Sequence, residues 1–172
     1  MAESGPTAEL LATPNNPAIA STITPWAQIR DSLAKAGTTW LSTVRPDGRP
    51  HVVPVGALWV DGAYIVTTGQ STVKGNNLDH NPHCVISLSI PGFDLVFEGD
   101  ASRVTDVEKL ERIARAYADQ GWPAYVHDGV LDAPFSAATT GPAPYDVYEV
   151  TPSVVFAFNT GEEVNRATRY RF

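Results

Sequence analysis

Cysteine is nearly missing. Cys84 stands alone, so no disulfide can close within the 172-residue chain, and folding has to rest on packing. Long apolar runs are missing too: none approaches the ~20 residues that a helix needs to cross a bilayer. The opening stretch MAESGPTAEL lacks the basic region and apolar segment of a secretory leader, and the expectation is a cytoplasmic protein. Cations are scarce, with 12 Lys and Arg against 19 Asp and Glu and a net charge of −7. Nucleic acid and anionic membranes need a field of positive charge, so neither is an expected partner. One small anion held by local groups stays open.

Several chemistries are missing as motifs. No G-x-G-x-x-G or Walker run occurs, which removes the sequence basis for a nicotinamide or nucleotide fold. No G-x-S-x-G surrounds a serine, so His51 near Asp47 has no nucleophile to activate. His80, His83 and Cys84 form an H-x-x-H-C cluster without the spacing of a metal-binding helix, so no metal site is expected. Cys84 reads as a small buried residue. No side chain stands out as catalytic.

What is present is mostly β. The length suggests one domain. Residues 1–22, rich in Ala, Pro, Thr and Asn without a period, read as a flexible arm, leaving 23–172 as a single domain. A short helix begins near Thr24-Pro25 and stops by Gly37, with Trp26, Ile29 and Leu33 on one face. Strands follow at 38–44, 51–60, 63–68, 83–90 and 93–104, then at 145–150 and 153–158. They are joined by RPDGRP, Asp61-Gly62, Pro91-Gly92 and Thr151-Pro152. Pro54 removes a ladder donor, which places its strand at an edge or a bulge. One strong helix has a capping-box spacing at Thr105 and Glu108 and an apolar stripe of Val107, Leu110, Ile113, Ala114 and Tyr117. Residues 121–145 read as a long loop carrying Trp122, Tyr125 and Phe135. Hairpin-linked strands at regular spacing imply an antiparallel sheet, and closure into a barrel would remove exposed edges.

Lys74 is the only Lys or Arg between Arg49 and Arg103. It lies in TTGQSTVKGNNLDHNP, residues 67–82, between two strands. Asn76, Asn77 and Leu78 look like the first turns of a short helix ending at His80-Asn81-Pro82. Hydroxyls, an amide, a lysine and free N–H groups at a helix start form an anion site. The simpler alternative is that Ser71 or Thr72 only caps the helix and Lys74 is solvated.

The order of LSTVRPDGRPHVVPVGALWVDGAYIVTT, the lysine loop, NNLDHNPHCVISL and FEGDASRV before a helix resembles the split β-barrel family of pyridoxamine 5′-phosphate oxidase-like flavoproteins, from about Gly37 to Phe172. Within it the chain is similar to short actinobacterial-type members that bind FMN or the deazaflavin coenzyme F420. The resemblance implies a homodimer of antiparallel barrels with a few helices and two cofactor sites at the interface. It implies that Val53, Pro54 and Val55 run along the ring, and that Thr67 and Thr68 lie near the phosphate or ribityl chain. Ser71, Thr72, Lys74 and Asn77 fall in the loop that holds the phosphate. The partner's tail, through Arg169 and Tyr170, approaches the ring.

The chain departs from the pattern where charge matters. Val53 stands where pyridoxamine phosphate oxidases carry an arginine, and Val73 where a second basic residue precedes the lysine. Ser71 and Asn76 replace arginines of short relatives. Oxidation of vitamin B6 is therefore not expected. The expected activity is hydride transfer between F420, slightly favoured, or FMN and a small conjugated organic substrate, with the aromatic loop 121–145 walling the substrate. A non-catalytic flavin- or haem-binding storage or sensor role on the same fold is the alternative, with His51 or His80 as the haem ligand.

Overall fold

The computed structural model describes residues 5–11, 22–160 and 166–172. Among these residues eleven strands join into one antiparallel sheet. They are β1 (Thr7–Leu10), β2 (Thr39–Val44), β3 (Pro50–Val55), β4 (Ala57–Val60), β5 (Ala63–Gly69), β6 (His83–Ile90), β7 (Phe93–Arg103), β8 (Tyr125–His127), β9 (Val130–Asp132), β10 (Tyr145–Asn159) and β11 (Ala167–Arg171). The main path runs β1-β11-β10-β7-β6-β2-β3, while β4 pairs with β5, β5 also with β10, and a β8–β9 hairpin hangs from β10. Three helices complete the fold: α1 (Trp26–Arg30), α2 (Val73–His80) and α3 (Val107–Asp119).

Strand β10 organises the molecule. One of its edges pairs with β7 along most of its length. The other pairs with β5 over Tyr145–Val150 and then with β11 over Val154–Phe158. The change of partner falls at Thr151-Pro152-Ser153, where the register against β7 shifts. Proline has no N–H for a ladder, so the sheet can split there. Gly99 lies opposite Pro152, and a Cβ on it would overlap the Thr151 carbonyl. The two strands expected at 145–150 and 153–158 are thus one strand with a bulge.

A second partner change shapes the site. The strand expected over 51–60 breaks at Gly56: β3 pairs with β2, and β4 with β5. Among the described residues β3 has no partner on its outer edge, in keeping with Pro54. The Gly56 carbonyl freed by the break accepts from the Tyr117 hydroxyl at 3.1 Å, as does the Ile65 carbonyl at 3.1 Å.

Strand β5 is buried throughout because it has apolar cover on both faces. Tyr64 and Val66 face a core with Leu41, Ile86, Leu95 and Phe97. Ile65 faces a second core with Leu110, Ile113 and Tyr117 of α3. The expected stripe of α3 holds except for Val107, which is half-exposed. Its cap is one residue later than the capping box suggested: the Asp106 carboxylate accepts from Lys109 N–H at 2.7 Å.

The stretch expected to be a flexible arm contains β1, paired with β11; residues 1–4 and 12–21 of that stretch lie outside the described residues. Residues 121–145 are not one loop, since β8 and β9 form a hairpin through Asp128-Gly129, both at positive φ.

Candidate functional site

Thr67 and Thr68 close β5 opposite Val147 and Asp146 of β10. The chain then turns tightly. Gly69 N–H donates to the Thr140 carbonyl at 2.6 Å, and a Cβ on Gly69 would meet Pro142 O at 2.7 Å. The β9–β10 connection therefore lies directly on the turn. The Thr72 hydroxyl caps α2 by accepting from Gly75 N–H at 3.2 Å, and it lies 2.5 Å from the Thr68 hydroxyl. Gly141, at positive φ, passes so close that a Cβ would meet the Thr72 methyl at 2.8 Å.

Lys74, on the first turn of α2, is 2% exposed. Its ammonium donates to the Thr139 carbonyl, and among the described residues no carboxylate pairs with it. Burial pushes its pKa down to about 8, since a charge removed from water is penalised. Asn77, equally buried, donates through Nδ2 to the Thr43 hydroxyl at 2.9 Å and ties α2 to β2. His51, opposite Thr43 on β3, is held below its ordinary pKa by burial, then by Arg45 and Lys74. Ser71 is exposed.

The turn thus gathers Thr67, Thr68, Thr72, Lys74 and Asn77. Val53, Pro54 and Val55 lie on β3 opposite Leu41, Trp40 and Thr39. Val55 enters the wall of a cavity of about 410 Å³ with Trp59 and Tyr64, whose hydroxyl is buried without a partner. A second cavity of about 420 Å³ is walled by Leu58, Thr67, Tyr117, Trp122, Phe135 and Thr140. The two share Gly56, Ala57, Leu58 and Gln120. Trp122 and Phe135 are at the cavity, as the aromatic loop suggested, whereas Tyr125 is exposed on β8 and not among its walls.

The tail residues do not join this group. Tyr170 is fully buried, packs on Trp26 at 5.2 Å between ring centroids, and donates to the Thr24 carbonyl at 2.7 Å. Arg169 pairs with Glu9 of β1 at 2.5 Å. Within its own chain Tyr170 is a core residue, and Arg169 is engaged by the strand that lies beside it. Sequence reading missed Thr139 and Thr140, whose carbonyls meet Lys74 and Gly69 across a long loop closure that no local motif signals.

The family model for pyridoxamine 5′-phosphate oxidase matches residues 25–159, and the chain belongs to that family. A search of curated proteins finds no match. Solved structures share the fold at low identity. A conserved hypothetical protein from Mycobacterium tuberculosis aligns with a TM-score of 0.60 at 19% identity, covering 79% of this chain and 85% of that one. A pyridoxamine 5′-phosphate oxidase-related, FMN-binding protein from Nostoc punctiforme aligns with a TM-score of 0.53 at 16% identity, covering 88% and 98%. An F420 reductase aligns with a TM-score of 0.53 at 22% identity, covering 73% and 94%. The architecture is that of the split β-barrels of this family.

Proposed function

We propose that the protein is an oxidoreductase that transfers hydride between a phosphate-bearing cofactor, F420 or FMN, and a small conjugated organic substrate. The observation that carries this reading is Lys74, a buried ammonium whose described partner is a carbonyl rather than a carboxylate. Burying an unpaired charge is costly, and a phosphate is the chemical group that would relieve it. The Thr68 and Thr72 hydroxyls and the start of α2 add donors beside it. The donor set fits a phosphate.

When bound, such a cofactor supplies a ring that takes up or gives a hydride. The protein's share is placement. Lys74, Thr68, Thr72, Ser71 and Asn77 hold or frame the phosphate end. Thr67 and the edge strand Val53-Pro54-Val55 lead from it toward the two cavities, where the ring would lie. F420 is slightly favoured, on the resemblance to short deazaflavin-binding members. The working unit is a cytoplasmic homodimer, with the open edge of β3 at the subunit boundary.

The test is a titration of the purified protein with FMN and, separately, with F420, followed by cofactor fluorescence. Saturable binding of either, lost in Lys74→Ala, is expected. Binding of neither refutes the reading.

A further inference from the structure

We propose that the β9–β10 connection, residues 133–144, is an autoinhibitory strap: it fills the turn before α2 with its own carbonyl oxygens and lifts off to admit a phosphate. This rests on the proposed function, because the phosphate it gates is the cofactor's. Three observations converge. First, the strap engages the donors that a phosphate would use. The Lys74 ammonium donates to the Thr139 carbonyl, and Gly69 N–H donates to the Thr140 carbonyl at 2.6 Å. Two successive carbonyls thus occupy a cation and a backbone N–H. At 2% exposure Lys74 has almost no surface left for an anion to meet.

Second, the strap holds its own shape. The Ser136 hydroxyl donates to the Gly141 carbonyl at 2.9 Å, and Thr140 N–H donates to the Ala137 carbonyl at 2.9 Å. Toward the rest of the chain, among the described residues, its hydrogen bonds from Pro134 to Pro144 run through backbone carbonyls: Phe135 to the Trp122 indole, and Thr139 and Thr140 to the turn. Pro134 to Ala138 and Pro142 to Pro144 are exposed, so those side chains lose no burial when the strap lifts.

Third, the closed position depends on missing side chains. Gly141 lies at positive φ, and a Cβ on it would meet the Thr72 methyl at 2.8 Å; a Cβ on Gly69 would meet the Pro142 carbonyl at 2.7 Å. The strap is therefore fitted to the turn but tied to it by neutral acceptors. A phosphate oxygen carries charge and makes hydrogen bonds roughly twice as strong, so the anion can displace it. The fraction of molecules with the strap lifted then scales the apparent affinity.

The probes are inorganic phosphate and FMN, titrated into the full-length protein by calorimetry. Gly141→Ala forces an L side chain into the left-handed region in the closed strap and should bind both probes about tenfold more tightly. Ser136→Ala removes one bond that shapes the strap and should tighten both about threefold. Ser136 is exposed, so that variant should melt as the wild type does. The motion itself is read by fluorine NMR of a trifluoromethyl tag on Ala138→Cys. Cys84, 5% exposed and with its thiol pushed by burial up to about 12, stays unlabelled. The fluorine resonance should shift saturably with phosphate, against chloride at equal ionic strength as the blank. Phosphate or FMN binding with the resonance unmoved overturns the strap and leaves the cofactor reading standing. So does an affinity that rises in neither variant. Absence of phosphate, FMN and F420 binding from the wild type and both variants overturns the cofactor reading and the strap with it.

Discussion

Lys74→Met should make the ligand-free protein more stable near neutral pH. Burial holds the Lys74 pKa at about 8, against an ordinary value of 10.5. At 2% exposure little solvent screening offsets this. By linkage, the unfolded chain binds a proton more tightly than the folded one between those two values. The folded state therefore carries a penalty that is full below pH 8 and is relieved as pH rises toward 10.5. At pH 7 that penalty is about 3 kcal/mol, and at pH 9 about 2 kcal/mol. Methionine keeps an unbranched stem but leaves the Thr139 carbonyl without its donor, at a cost of about 1 kcal/mol. The net expectation is a gain of about 2 kcal/mol at pH 7, shrinking by about half at pH 9. Urea unfolding of both proteins at the two pH values measures it. Tyr64, Tyr117, Tyr148 and Tyr170, whose pKa values burial raises, contribute equally to both proteins and cancel. A variant less stable than wild type at both pH values, by an amount independent of pH, would refute the argument. It would mean that Lys74 is held by interactions stronger than one carbonyl.

Thr72→Ala should lose about 1 kcal/mol by removing the cap of α2, read from the urea midpoint, and it should weaken FMN or F420 binding as well. Gly99→Ala should lose about 1–3 kcal/mol or more, because its Cβ has no room against Thr151; a neutral melting temperature would contradict the close approach of β7 and β10. Tyr117→Phe should lose about 1–3 kcal/mol, since two inward carbonyls share that hydroxyl, with urea unfolding as the readout. Raising salt from about 0.05 to about 0.5 M should leave anion affinity unchanged or raise it. Salt screens the repulsive field of a chain with net charge −7 more than it screens a buried ammonium; a steep fall would point to exposed cations instead.

Local pattern made much of the fold legible. Asp61-Gly62 is flanked by apolar alternation and forms a tight turn with positive φ at both residues. Asp128-Gly129 carries the same signal, but its strands are three residues each, too short to show alternation. The break at Gly56 and the fusion of two strands into β10 depend on which neighbour each segment finds, and no window of sequence holds that information. The turn into α2 was legible as a set of residue types: Thr72 caps α2 and the helix ends at His80. The burial of Lys74 was not, because its partner Thr139 is 65 residues away. Tyr170 looked like a tail residue by position, yet pairing with β1 and β10 draws its strand inward.

The neutrality of the loop takes a different meaning once Lys74 is buried. A rim of exposed arginines attracts phosphate through many weak, screened contacts, each worth little. A single ammonium away from water interacts with an anion at a lower effective dielectric, so one charge can do the work of several. Its cost in the free protein is desolvation, which lowers its pKa, and the Thr139 carbonyl offsets part of that by presenting a dipole to the ammonium. Gly69 N–H meets Thr140 in the same way. On the proposed reading, both carbonyls stand in for ligand oxygens, and a phosphate binds by exchanging with them. The close passage of Gly141 over Thr72 and of Pro142 over Gly69 is what brings those carbonyls within reach. Valine at 73, serine at 71 and asparagine at 76 then cost the site little, since further cations would repel Lys74 and depress its charge when no anion is bound.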